Sequence, residues 1–130
     1  MKILLDTKVW LWMVGEPDGL GEAARELVRN PDTLLYVSAA SAWEIAVNHA
    51  IGRLALPGPP DAWAPRRVTD TGVEGVPILH RHALAVGGLE SLHCDPVDRP
   101  LVAQALQDGL TILTADPMIR QSPVATLPAD

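Results

Sequence analysis

The chain has 130 residues, 16 Asp and Glu against 10 Lys and Arg, a net charge of −6 and 48% hydrophobic residues. That length fits a single domain, residues 1–130, and no apolar stretch approaches the roughly 20 residues that span a bilayer, so no membrane helix is expected. The acidic balance argues against a plain module that grips nucleic-acid phosphates through basic charge, but less against an enzyme whose carboxylates hold divalent cations, because bound metal reverses the local field.

In chain order, KILLD (Lys2 to Asp6) is a short β run ending in an acid, and TKVWLWMV (Thr7 to Val14) follows as a helix capped by Thr7. GEPDG stops it, and GEAARELVRN forms a second helix ended by Pro31. TLLYVS is a strand. From Ser38 or Ser41 a third helix runs to about Gly52, with Ala39, Ala42, Trp43, Ala46, Val47 and Ala50 as its apolar stripe. The prolines of LPGPPDAWAPRRVTDTG leave room for only a short helix. VEGVPIL is a further strand, HRHALAVGG a short helix, and Pro100 places the start of the next helix near itself, running to about Asp108. LTILT (Leu110 to Thr114) is the clearest β run, and PVATLP closes as an edge strand.

Strands alternating with helices predict an α/β fold of three layers, a central mostly parallel sheet with helices on both faces. Ligands in such folds collect outside the carboxyl ends of the strands. Asp6 ends the first strand and Asp116 follows the strand at Leu110 to Thr114, so both belong to that rim. Asp98 shares a helical stripe with Leu101, Val102 and Ala105 and faces inward at one end. Two readings stay open for these acids: helix capping, which aspartate before an apolar run commonly signals, and a metal site. Glu44 stands about 130° from the centre of its helix's apolar stripe, which by periodicity alone makes it a boundary or solvent residue.

LLDTKVWLW, SAASAWEIAVNHAIGRLALP, PILHRHALAVGGLESLHCDPVDRPLVAQA and LTILTADPMI together resemble the PIN-domain ribonucleases, specifically the VapC-type toxins of toxin–antitoxin pairs. The resemblance covers nearly the whole chain in the right order and implies a PIN-like fold with an acidic site formed by Asp6, Glu44, Asp98 and Asp116. Asp95 matches the first acid of its DPxDR motif as an accessory residue, beside Thr7 and Thr114; by charge, Lys8, Arg99 and Arg53 are candidate RNA contacts, with a solvated surface charge the alternative for each arginine. Three positions depart from the family pattern: Lys8 where histidine is common, Asn48 where lysine is common, and Pro100 where an apolar residue is usual.

An all-carboxylate set selects a hard cation, so Mg²⁺ is the implied metal, with Mn²⁺ as a substitute. The implied activity is endonucleolytic RNA cleavage by metal-activated water, leaving 5′-phosphate and 3′-hydroxyl ends. The implied partners are RNA, a small cognate antitoxin and a second copy of the chain. The excess apolar surface of Trp10, Leu11, Trp12 and Met13 supports the homodimer, while Trp43 reads as core. The alternatives are a PIN-like binding or regulatory module with impaired catalysis, and a small-molecule phosphate-ester hydrolase; against the latter, no glycine-rich phosphate loop follows the first strand. His80 and His82 are further candidates for touching RNA, but i, i+2 residues do not share a helix face, which argues against a metal pair. Cys94, the one cysteine, reads as buried and inert; MKILLDTKVW lacks a signal-peptide pattern, so a cytoplasmic location is expected.

Overall fold

The computed structural model describes residues 1–15, 19–89 and 98–130. Its strands are β1 (Lys2–Leu5), β2 (Leu34–Ser38), β3 (Glu74–Val76), β4 (Thr111–Thr114) and β5 (Thr126–Pro128). Its helices are α1 (Thr7–Val14), α2 (Glu22–Arg29), α3 (Ala39–Ala50), α4 (Pro60–Thr71), α5 (His80–Ala85), α6 (Asp98–Asp108) and α7 (Pro117–Arg120).

All four strand pairings are parallel, in the order β3-β2-β1-β4-β5. Leu5 at the end of β1 is in register with Val37 on one side and Leu113 on the other. The central strand is covered on both faces, which explains its unbroken apolar run: Ile3, Leu4 and Leu5 are all fully buried. Alternation then sorts them. Ile3 and Leu5 join Val9, Trp10, Val37, Ile45 and Leu113 in one core, beneath α1 and α3. Leu4 and Ile112 join Leu101, Val102, Ala105 and Ile119 in the other, beneath α6 and α7. The three-layer arrangement expected from the sequence is therefore present.

Local chemistry sets several boundaries. The Ser38 hydroxyl accepts the Ala40 amide (3.0 Å) and starts α3. Gly72, at φ +70°, ends α4 in the left-handed conformation that glycine adopts without steric penalty. At twelve residues, α4 is longer than its prolines suggest. Pro60 occupies a first-turn position that needs no amide, and the bond lost at Pro65 is offset by Trp63, Ala64 and Val68 packing on the core. The β run at VEGVPIL shortens to Glu74–Val76. Among the described residues α6 begins at Asp98, ahead of Pro100, so the proline lies in the first turn, where its missing N–H breaks no intrahelical bond.

Three side-chain expectations are corrected. Trp43 is 60% exposed, not core: the stripe of Ala39, Ala42, Trp43, Ala46, Val47 and Ala50 faces outward, while Ala40, Ser41 and Ile45 are buried. Trp10 is buried and packs edge-on against Trp63 with ring centroids 5.7 Å apart. Leu11, Trp12 and Met13 are half-buried against the same core, so α1 does not supply the surplus apolar surface expected of it. His82 is also buried, which removes it as an RNA contact; its ring instead clasps α5 to α6.

Candidate functional site

The chain leaves β1 toward β2 on one side, and β4 later takes the place on β1's other side. Parallel sheets open a crevice at the carboxyl ends of strands at such a reversal. Asp6 leaves β1 there, α3 enters from the end of β2 carrying Glu44, and Asp116 stands two residues beyond β4. The start of α6 adds Asp98. These four acids line one cavity of about 370 Å³ together with Lys8, Ala115 and Pro117.

Hydroxyl groups fix this rim. Thr114 Oγ donates to a carboxylate oxygen of Asp6 (2.8 Å) and accepts the Asp116 amide (3.0 Å), so one threonine links two acids from opposite ends of the chain. Thr7 Oγ donates to Ser41 Oγ (2.8 Å), and both residues are buried. That bond ties the first turn of α1 to the first turn of α3, one turn before Glu44. The sequence pointed to Ser41 only as a possible helix start; its position three residues before Glu44, on the same helix side, is the signal for a part in the site. Asp116 also caps α7, accepting the Met118 amide at 2.9 Å. The capping and site readings of Asp116 are therefore compatible. Asp6 precedes α1 but makes no side-chain cap bond.

Asp6 is buried, and that burial raises its carboxyl above the ordinary range; the charge of Asp116 pushes in the same direction. The Thr114 hydroxyl and the first amides of α1 oppose the shift without cancelling it. A site that sets a desolvated acid facing a second acid is one that a cation would relieve.

The donor set fits a hard divalent ion: the cavity presents carboxylates from four segments and neither cysteine nor histidine among its described lining. Among the described residues no three His, Cys, Asp or Glu side chains already stand together as a ligand group, so the carboxylates line the cavity without converging on one point. A second cleft, of about 390 Å³, is lined by Trp10, Val37, Ala39, Ala42, Ala64, Pro65 and Val68 among others. It has no carboxylate and is not the chemical site.

The structure therefore brings together at this rim Asp6, Asp98 and Asp116, which the residue pattern pointed to, and Glu44, which the family resemblance implied in spite of its helical periodicity. Lys8 lines the cavity; Thr7 and Thr114 brace it. Arg99 follows Asp98 and is half-buried, and Arg53 is exposed in the turn after α3; neither lines the cavity. Asp95 and Cys94 lie outside the described residues.

An acid-lined cavity at the reversal point of a five-stranded parallel sheet defines the class, and the chain belongs to the PIN-domain family, whose model it matches over residues 3–123. Within that family it is of the VapC type. Ribonuclease VapC22 of Mycobacterium tuberculosis is 30% identical over 119 residues, 91% of this chain and 89% of that protein. Ribonuclease VapC16 of the same organism is 36% identical over 58 residues, 45% of this chain and 41% of that protein's length. Among solved structures, VapBC2 from Rickettsia felis bound to a promoter DNA fragment matches with a TM-score of 0.74 at 13% identity, over the whole of both chains. DNA-bound VapBC from Salmonella typhimurium matches at 0.73 with 16% identity, over 100% of this chain and 99% of that one. At such identities these two matches carry the fold.

Proposed function

We propose that this chain is a metal-dependent endoribonuclease, the toxin of a toxin–antitoxin pair. The observation that carries this reading is the convergence of Asp6, Glu44, Asp98 and Asp116, from four segments, on one cavity in a chain of VapC type. Asp6, Asp98 and Asp116 are the residues to hold Mg²⁺, or Mn²⁺ in its place. When bound, the ion supplies charge neutralisation at the scissile phosphate and lowers the pKa of a water. Glu44, half-buried in the same cavity lining, would orient such a water and accept its proton. Thr114 holds Asp6 and Asp116 in fixed relation, and Lys8 presents a cation to the RNA backbone at the cavity mouth.

The partner reading follows from family and charge. A net charge of −6 and an acidic cavity suit a basic inhibitory segment, an arginine of which pairs with the carboxylates. The VapBC complexes sharing this fold support a small antitoxin as that partner. A homodimer fits the outward face of α3, where Trp43, Val47 and Ile51 are exposed beside the apolar cleft lined by Ala39 and Ala42. With this face available, sedimentation at micromolar concentration is expected to give twice 13.9 kDa, and Trp43→Asp to give the monomer. A wild type that sediments as a monomer removes the dimer from this reading.

The test of activity is Asp98→Asn. Mg²⁺-dependent cleavage of RNA is expected to vanish while the circular dichroism spectrum and melting cooperativity persist, and expression of the wild type alone is expected to arrest growth. A folded wild type that leaves RNA and growth untouched returns the chain to a binding or regulatory module.

A further inference from the structure

Lys8 brings the one positive charge to the described lining of a cavity that holds four acids, yet among the described residues it makes no salt bridge with them. Its ammonium lies instead over the ring of Trp12, 5.3 Å from the centroid. The two residues are one helical turn apart on α1, so they share a face. The indole is itself held in place. It lines the neighbouring apolar groove with Leu54, Leu56 and Trp63, and a side-chain carbon on Gly19 would collide with it. Trp12 thus stands outside the acidic cavity and supports, by its ring, the lysine that lines it.

An unrestrained lysine at this position has an obvious alternative. The four-carbon stem is flexible, and the carboxylates of the cavity attract its ammonium. A lysine folded onto those acids would occupy the charge that a divalent ion needs. We propose that Trp12 is a positioning residue that holds the Lys8 ammonium at the cavity mouth, off the carboxylates of Asp6 and Asp116, keeping their charge for a divalent cation and the lysine available to a phosphate. This inference rests on the metal-site reading above and assigns a role to a residue outside the acid cluster.

The test measures Mg²⁺ binding without catalysis, by the rise in melting temperature as Mg²⁺ is added. Trp12→Leu is expected to raise the half-saturating Mg²⁺ concentration about two- to five-fold, the range of an exposed cation–π contact. Trp12→Phe, which keeps a ring, should restore most of the wild-type value. The double variant Lys8→Met with Trp12→Leu should match Lys8→Met alone, because no ammonium remains to be misplaced. An unchanged midpoint in Trp12→Leu overturns the inference, and so does a double variant as impaired as Trp12→Leu.

Should Trp12→Leu not fold, the wild type supplies the decision by NMR. Lys8 side-chain protons shifted upfield by the indole ring current, and returning to ordinary positions in Trp12→Phe or on unfolding, support the placement; unshifted protons overturn it. A wild type whose melting ignores Mg²⁺ overturns the metal-site reading and this role together. A responsive wild type with an unaffected Trp12→Leu overturns this role alone.

Discussion

Asp6 and Asp108 are carboxyl groups whose acidity the fold displaces in opposite directions. Asp6 is buried and shares its cavity with Asp116, and burial followed by that repulsion raises its pKa. Burial alone would also raise Asp108, yet hydrogen bonds from His82 and Arg81, with the charge of Arg81, hold it below the ordinary carboxylate range. The Asp108 cluster is a clasp: His82 Nδ1 accepts the Leu79 amide (2.9 Å), Nε2 reaches both Asp108 oxygens (3.0 and 3.1 Å), and Arg81 pairs with the same carboxylate at 2.8 Å. With Nδ1 occupied as an acceptor, the ring carries its proton on Nε2 and donates it to Asp108. One acidic region is thus matched to its neighbours and fastens α5 to α6. The other is mismatched, a desolvated acid beside a second acid.

The comparison is broken most severely by Asp6→Asn. The amide keeps an oxygen to accept from Thr114 but loses the charge, so RNA cleavage should fall at least about 100-fold, the upper end of what even indirect support of a metal site is worth. The same variant should melt higher than wild type at neutral pH in the absence of metal. Its sign follows from linkage: a raised carboxyl favours the native state while protonated, and that advantage is lost as pH rises through the folded pKa. The two proteins should therefore converge below the ordinary carboxylate range. Equal melting temperatures at neutral pH would mean that the site carries no such mismatch.

Removing the clasp is the next largest effect. His82→Ala deletes a fully buried ring and its bond to a charged partner, at a cost of about 2–3 kcal/mol in chemical denaturation. The remaining folded fraction should keep its Mg²⁺ dependence, because the clasp lies at the end of α6 opposite Asp98. A lost Mg²⁺ response in folded His82→Ala would show that the two regions are coupled.

The smallest effect is Asp108→Asn, about 1 kcal/mol or less at neutral pH because its partner Arg81 is largely solvated. Here the folded pKa is lowered, so the wild-type advantage is present above the unfolded value and is lost as pH falls through the folded one. Urea midpoints of the two proteins should differ at pH 7 and merge on acidification. A difference that persists in acid would assign the loss to packing.

The same contrast governs what could be read before any coordinates. Asp6 and Asp116 were legible because each lies within two residues of the end of an apolar β run, and strand ends in a parallel sheet share one rim. The layers were legible from the alternation of strands and helices. Glu44 was not legible by periodicity, since α3 turns its alanine-rich stripe with Trp43 to the surface and packs through Ala40, Ser41 and Ile45. Periodicity locates an apolar face but does not say what covers it. Only the motif resemblance carried Glu44 to the site. Similarly, α4 was underestimated because proline was weighed as a breaker without the packing of Trp63 and Val68 that sustains the helix, and the His82 clasp could not be foreseen because it joins residues 26 positions apart.

The pairing of β1 with β4 also sets a schedule. Asp6 is synthesised almost at once, but its strand neighbour and its bracing Thr114 come more than a hundred residues later. At bacterial or eukaryotic elongation rates the interval between residue 6 and residue 116 is roughly 5 to 20 s, to which passage through the ribosomal tunnel adds. Throughout that interval the nascent chain holds only part of the acid set, so on the proposed reading its site is incomplete while it is still tethered. A protein that binds its early helices during translation would therefore meet the toxin before the toxin can act.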